Sequence, residues 1–485
     1  MGQSDGIRLL GNYERYSLAR DNTGNPQLIT YVGTYALGSK IPLPQSLKLR
    51  AGKLIGKYPL LKGCILDVKT TVPKWRYRSD GEVVSGLDTL VKDEHLDNQS
   101  SVEDVIAREL DNNEELRVSA NNTFLWRIVR YTTSSSDQPG YLAVTLNHVI
   151  SDGKSGLALF DALLNETADA QTSNEATFPP SLENTVDTRP GYRYMANVIW
   201  TELIVPKLPT YIAASVRQAP CWPGRPPAVR NALRCYKHII LDSATTASLK
   251  ANGKRHRVNT LHPILETAAV VALWITFGAT EIAHNTPMSV RDVSRGHPLM
   301  TGNYVSNLEN RCSIRGEDDF WEKSCAFSTW LKSDVAQRQA ISAMGMLAHI
   351  PDGINDLALD SSTPTGWESF LKDKMARSPS TSLEVSNLGY TGLPPCVQGV
   401  TFAQTPSPAT PVVVNAVGTP NGLSLLVCWR DGAYGQDGLD VGDFAQVYET
   451  VLGFLAQPEL EIDEARDIRY HPTFADIRRK AGIKR

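Results

Sequence analysis

The 485-residue chain has no C-x-x-C pair, no excess of positive charge and no long uninterrupted apolar run. Each absence removes a class of answer. Its seven cysteines, at 64, 221, 235, 312, 325, 396 and 428, are odd in number and widely spaced, which supports neither a disulfide framework nor a structural zinc site. They read as small buried hydrophobes of a reducing compartment. Forty-nine Lys and Arg against 52 Asp and Glu leave a formal net charge of −3, too little positive field to hold a phosphate backbone, so nucleic acid is not an expected partner. The longest uncharged apolar stretch, Thr267 to Thr280, is too short to cross a bilayer, and the first twenty residues lack a signal-peptide core. A monomeric cytoplasmic protein without a transmembrane segment is the expectation.

Catalytic signatures are missing as well. There is no G-x-G-x-x-G for a dinucleotide, no G-x-S-x-G nucleophile elbow, and no H-E-x-x-H or Cys/His cluster, so no metal is expected. Gly153-Lys154-Ser155 fails as a phosphate loop because His148 stands where the first Gly of that motif belongs. What remains is an ordinary globular composition, 41% hydrophobic and 21% charged, long enough for two or three domains.

Nine of the 29 prolines fall between 179 and 227. Proline removes backbone donors and fixes φ, so 176–230 reads as a crossing segment between lobes at 1–175 and 231–485. Each lobe mixes strand and helix patterns. Strands are expected at 28–37, 124–131 and 140–147 in the first, then at 235–241, 381–387, 412–417 and 423–429 in the second. Helices are expected at 45–57, from Ser100 with Glu103 as capping box to about Asn112, and at 154–168. Others follow at 261–274, over an interrupted stretch from 318 to about 347, and at 441–455. Two mixed α+β sandwiches sharing an interface is the expected architecture, and ligand sites favour such interfaces.

The sharpest feature is His148-Val-Ile-Ser-Asp152-Gly153, between an alternating strand and a helical run. Chance places His-x-x-x-Asp-Gly in such a chain only about 0.03 times. A polar turn whose Asp caps the next helix is the competing reading. Tyr58-Pro-Leu-Leu-Lys-Gly63, the His motif, Pro287-Met-Ser-Val-Arg291 with Gly302-Asn-Tyr304, and Val385-Ser-Asn-Leu-Gly389 follow in one order. That set resembles the CoA-dependent acyltransferase superfamily, which includes plant BAHD enzymes, chloramphenicol acetyltransferase and the condensation domains of peptide synthetases. It is most similar to the fungal alcohol O-acetyltransferases, over about residues 10 to 457. The Asp-Phe-Gly-Trp-Gly loop of the plant branch is absent, so no role for that loop carries over.

The resemblance implies two chloramphenicol-acetyltransferase-like domains with a tunnel at their interface, where an acyl-CoA co-substrate meets a small alcohol without a resident cofactor. It implies His148 as general base, Asp152 as structural partner of Arg291, and Gly153 as a point of close backbone approach. An imidazole suits the proton transfer because its pKa lies near working pH. A local pair between Arg291 and Asp292 is the competing reading there. Ser386 and Asn387 are the implied oxyanion donors, against a role in the turn before Gly389. Lys250, Lys254, Arg255 and Arg257 put four cations in eight residues before a helix start, a candidate CoA-phosphate site or a solvated face. Tyr31, Tyr35, Trp126 and Trp429 are acceptor-tunnel candidates, against core packing. A carrier-protein thioester as donor, release of a polyketide, or binding of CoA without catalysis are the alternative functions.

Overall fold

The computed structural model describes residues 7–482 apart from 98, 112–113, 119–123, 135–136, 166–177, 210, 213–220, 223–232, 292–300, 351, 353–364, 378, 407–409, 435–437, 458–470 and 481. Its strands are β1 (Ile7–Leu9), β2 (Leu28–Tyr35), β3 (Gly63–Leu66), β4 (Lys74–Tyr77), β5 (Val91–Leu96), β6 (Trp126–Thr133) and β7 (Tyr141–Asn147). The second half adds β8 (Arg234–Asp242), β9 (Glu281–Ser289), β10 (Val305–Ser313), β11 (Leu383–Tyr390), β12 (Val397–Gln404), β13 (Val412–Thr419) and β14 (Gly422–Arg430). They form a five-stranded sheet in the order β12-β2-β7-β6-β5, a six-stranded sheet β10-β9-β11-β13-β14-β8, and a small sheet β1-β4-β3.

Both faces of the five-stranded sheet are covered. Leu142, Val144 and Leu146 of β7 face a core shared with helices Pro44–Lys57 and Gly153–Asn165. On the other face Tyr141 and Ala143 meet Val105 and Ile106 of helix Val102–Asp111, together with Val413, Leu426 and Cys428 of the second sheet. The lobes therefore share an apolar seam. Val102–Asp111 starts one residue later than the sequence suggests, because Ser101 and Asp104, not Ser100 and Glu103, make the reciprocal capping bonds.

The six-stranded sheet packs on helix Leu261–Phe277, whose residues are buried nearly all round rather than along one stripe. Helix Val441–Leu455 closes this layer. The stretch from 318 breaks into helices Phe320–Leu331 and Asp334–Gly345, the second capped by Ser333. In one respect the lobes depart from a clean division. Strand β12, far into the second half, pairs antiparallel with β2 and completes the first sheet, so 231–485 is not confined to its own lobe. Between the lobes the described part of 176–230 forms helix Tyr192–Ile199 and short turns; the rest of that Pro-rich stretch lies outside the described residues.

Candidate active site

The His148 loop is fixed from three sides. Strand β7 ends at Asn147, whose side-chain Nδ2 donates to Asp21 (3.0 Å) and to the Leu116 carbonyl (3.0 Å), while its Oδ1 accepts from the Val149 amide (3.0 Å). The His148 amide donates to the Gln27 carbonyl at 2.8 Å. Beyond it, Ser151 bridges to Gly302 of the second half. Every backbone group of the turn that these bonds satisfy is one less source of motion for the ring.

Asp152 resolves the two competing readings by doing both jobs. One carboxylate oxygen accepts from the Ser155 amide (2.9 Å), capping helix Gly153–Asn165. The other accepts from Arg291 Nη2 (2.7 Å) and the Tyr304 amide (2.9 Å). Arg291 also donates to the Gly302 carbonyl (3.1 Å) and stacks over the Tyr304 ring, 4.9 Å from its centroid. Asp152 and Arg291 side chains are each only 3% exposed. Asp292 lies outside the described residues.

Beside this pair, Asn303 reaches the imidazole itself. Its Nδ2 donates to the His148 carbonyl (3.1 Å) and stands 2.9 Å from ring Nδ1. The amide nitrogen is a donor only, so against a neutral ring it would leave the proton on Nε2, whereas a hydrogen bond from the ring to its own backbone carbonyl holds the proton on Nδ1 and leaves Nε2 unprotonated. The sequence motif Gly302-Asn-Tyr304 contained this residue without a role attached.

A cavity of about 1310 Å³ opens between the lobes, bordered by His148, Asp152 and Gly153 from the first and by Glu384, Ser386 and Asn387 of β11 from the second. His148, although only 6% exposed, borders it, and its pKa is lowered to about 4: burial disfavours the imidazolium and Arg20 adds to this, against the pull of Asp152. Glu384 moves the other way. Burial pushes its carboxyl up to about 7, partly offset by a hydrogen bond from Gln404 and by Arg20. A neutral imidazole at a cavity edge can take a proton from a bound hydroxyl without first losing one.

Gly153 is a tight point. A Cβ there would meet Leu388 Cδ2 at 2.5 Å, and its carbonyl accepts from the Tyr31 hydroxyl at 2.6 Å. Asn387 partly serves the turn, because its Oδ1 accepts from the Gly389 amide (2.9 Å) and only its amide nitrogen is left to donate.

Two expectations are corrected. Tyr31, Tyr35, Trp126 and Trp429 do not line the cavity; they are core residues, because both faces of their strands are covered. Tyr31 stacks on Phe160 and Phe402, and Trp126 Nε1 donates to the Leu61 carbonyl (3.1 Å). The walls come instead from Tyr13, Tyr16 and Arg20 of helix Asn12–Asn22, from Trp222, and from Leu347 and Phe370. Lys250, Lys254, Arg255 and Arg257 are exposed on and after helix Ser243–Arg255, and none borders the cavity. They form a solvated helix face, as charge runs usually do. Glu384 was missed, although a charge between Leu383 and Val385, two positions from Ser386 and so on its face, is a visible signal.

Among the described residues no helix is long and apolar enough to cross a membrane, and no group of His, Cys, Asp and Glu could hold a metal ion. No curated protein sequence matches the chain. Among solved structures, it is similar to the trichothecene 15-O-acetyltransferase TRI3 of Fusarium sporotrichioides, with a TM-score of 0.64 and 12% identity over 94% of this chain and 96% of that one. It is similar to the condensation domain of the monacolin K polyketide synthase MokA, with a TM-score of 0.58 and 13% identity over 93% and 97% of the two chains. The epimerization domain of the third module of tyrocidine synthetase B gives a TM-score of 0.60 at 14% identity over 94% and 98%. At such identities these likenesses establish the fold alone, two α+β lobes. The model of the alcohol acetyltransferase family matches residues 84–452, and since that is most of the sequence, the chain belongs to this family of acyltransferases.

Proposed function

We propose that the protein transfers an acetyl or other short acyl group from CoA to the hydroxyl of a small alcohol, both substrates being bound together in the cavity between the lobes. The observation that carries this reading is the neutral His148 ring at the cavity edge, held by Asn303 and bordering the same cavity as Ser386 and Asn387 of β11. As the alcohol oxygen attacks the thioester carbon, Nε2 of His148 takes its proton, while Nδ1 keeps its own toward the His148 backbone carbonyl. The carbonyl oxygen gains charge and is met by the Ser386 hydroxyl and the Asn387 amide. Collapse of the tetrahedral intermediate breaks the carbon–sulfur bond, and the imidazolium returns the proton to the departing thiolate. No covalent acyl-enzyme is formed. Asp152 and Arg291 hold the loop without touching substrate. The cations at 250–257 are not assigned to CoA, because they stand away from the cavity.

The test is free-thiol release from acetyl-CoA in the presence of a panel of alcohols, with the ester identified by mass. Alcohol-dependent release is expected. Silence with every acyl-CoA but turnover of an acylated carrier protein would replace this reading with a condensation-type reaction.

A pH profile follows from the lowered His148 pKa. In the folded protein the ring binds its proton near pH 4 rather than 6.5, so kcat/KM should keep its neutral-base form down to about pH 5 and fall only below it. Glu384 titrates in the same cavity, so the profile is measured in wild type and in Glu384→Gln. An acid limb near 6.5 that persists in Glu384→Gln would contradict the buried-imidazole account. The same shift affects stability. Between pH 6.5 and 4 the unfolded chain binds the extra proton, so this group's contribution is lost as pH falls through that window.

A further inference from the structure

Glu384 is a part-buried carboxyl group that the proposed transfer does not use. It lies on β11, in register with Asn285 of β9 and Val413 of β13, on the strand face that Ser386 shares. One oxygen, Oε1, accepts from Gln404 Nε2 at 2.6 Å, a bond that crosses from β12 of the first sheet to β11 of the second. Among the described residues Glu384 makes no ion pair at contact distance, Arg20 acting on it only from further off, and both it and Gln404 border the cavity. Arg20 borders the same space and donates to Gln27 Oε1 (3.0 Å) rather than to a carboxylate. With Oε1 taken by Gln404 and the residue bordering the cavity, the second oxygen is left to accept from a donor group of a bound ligand. Simple alkanols offer nothing beyond the reacting hydroxyl, and that belongs at His148.

We propose that Glu384, braced by Gln404, determines specificity by accepting a hydrogen bond from a second donor group of the acceptor, so that the preferred acceptors are diols or amino alcohols rather than monofunctional alcohols. This rests on the acyltransferase reading above. The raised pKa of the carboxyl is consistent with a site that lacks such a donor when empty. The apolar walls, Trp222 and Phe370 among them, then hold the carbon skeleton between the two polar ends.

The experiment compares acceptors of one skeleton: 1-octanol, octanediols with hydroxyls at 1,3 to 1,8 spacing, and 8-amino-1-octanol. Acetyl-CoA turnover gives kcat/KM for each with wild type, Glu384→Leu and Glu384→Gln. In wild type at least one bifunctional acceptor should exceed 1-octanol by about 10- to 100-fold, the fold-change of a hydrogen bond to a charged group. Glu384→Leu should bring that ratio close to one, with Glu384→Gln, which keeps the shape, in between. The diol and amine arms tell which donor is held. A ratio that is the same in wild type and variants overturns the inference, as does a wild type that favours no bifunctional acceptor. Calorimetric binding of the same compounds without acetyl-CoA reads recognition apart from transfer. If no thiol is released but binding still prefers a bifunctional acceptor through Glu384, the recognition stands and the transfer reading falls; binding without that preference overturns the recognition.

Discussion

Replacing His148 with alanine is expected to lower alcohol-dependent thiol release by about 10²–10⁴-fold, the usual contribution of a positioned base. The loss should appear in kcat, because nothing in the ring's surroundings gives it a share in binding CoA. Stability should change much less. The ring borders a cavity, and its removal leaves the Asn303 amide one carbonyl partner at the same loop. Circular dichroism and thermal melting check that the variant is folded, and product mass checks that residual release is transfer rather than thioester hydrolysis. Turnover within a few-fold of wild type would move the base elsewhere. Glu384 would then be the next group to test, as it titrates near neutrality in the same cavity.

Asp152→Ala should behave in the opposite way, with a large loss of stability. Removing the carboxylate strands Arg291, whose side chain is 3% exposed, and leaves the Tyr304 and Ser155 amides without their acceptor. Breaking one partner out of a buried pair costs about 3–5 kcal/mol, and a lost helix cap adds about 1 kcal/mol. Denaturant titration gives the value. Arg291→Met should cost a comparable amount, and the double variant should recover part of the sum, because two absent charges are cheaper than one stranded charge. An Asp152→Ala protein of unchanged stability with abolished turnover would mean that the carboxylate acts on substrate, contrary to its geometry.

The parts of the site that were legible in the sequence are those written within a few neighbouring residues. Strand β7, the turn at His148 and the helix from Gly153 follow one another in the chain, so their local pattern located them. The Asp152–Arg291 pair needed the family resemblance, since 139 residues separate the partners. The tunnel aromatics failed for a different reason. An aromatic on an apolar strand reads the same whether it faces a core or a cavity, and only the long-range packing of helices Pro44–Lys57 and Gly153–Asn165 on the first sheet, and of helices Leu261–Phe277 and Val441–Leu455 on the second, decides between them. The cations at 250–257 were correctly read as a run of charge, but which way that helix faces depends on contacts far along the chain. Asn303 lay inside a quoted motif and Glu384 inside an expected strand, and both went unassigned because their partners, His148 and Gln404, come from other elements.

The position of β12 bears on how the protein comes into being. Leu28 at the start of β2 receives its side-chain partner from Thr405, 377 residues further along, and the strand between them is the last piece of the first sheet to be translated. During synthesis the amino-terminal lobe must wait on the ribosome with one edge of β2 bare, a surface that invites pairing with other nascent chains. Loop closure over such a distance is slow, so this step should govern the rate of maturation. A premature stop before residue 397 would therefore damage more than the distal lobe: it would release a proximal lobe with an unsealed edge, prone to aggregate despite an intact His148 loop.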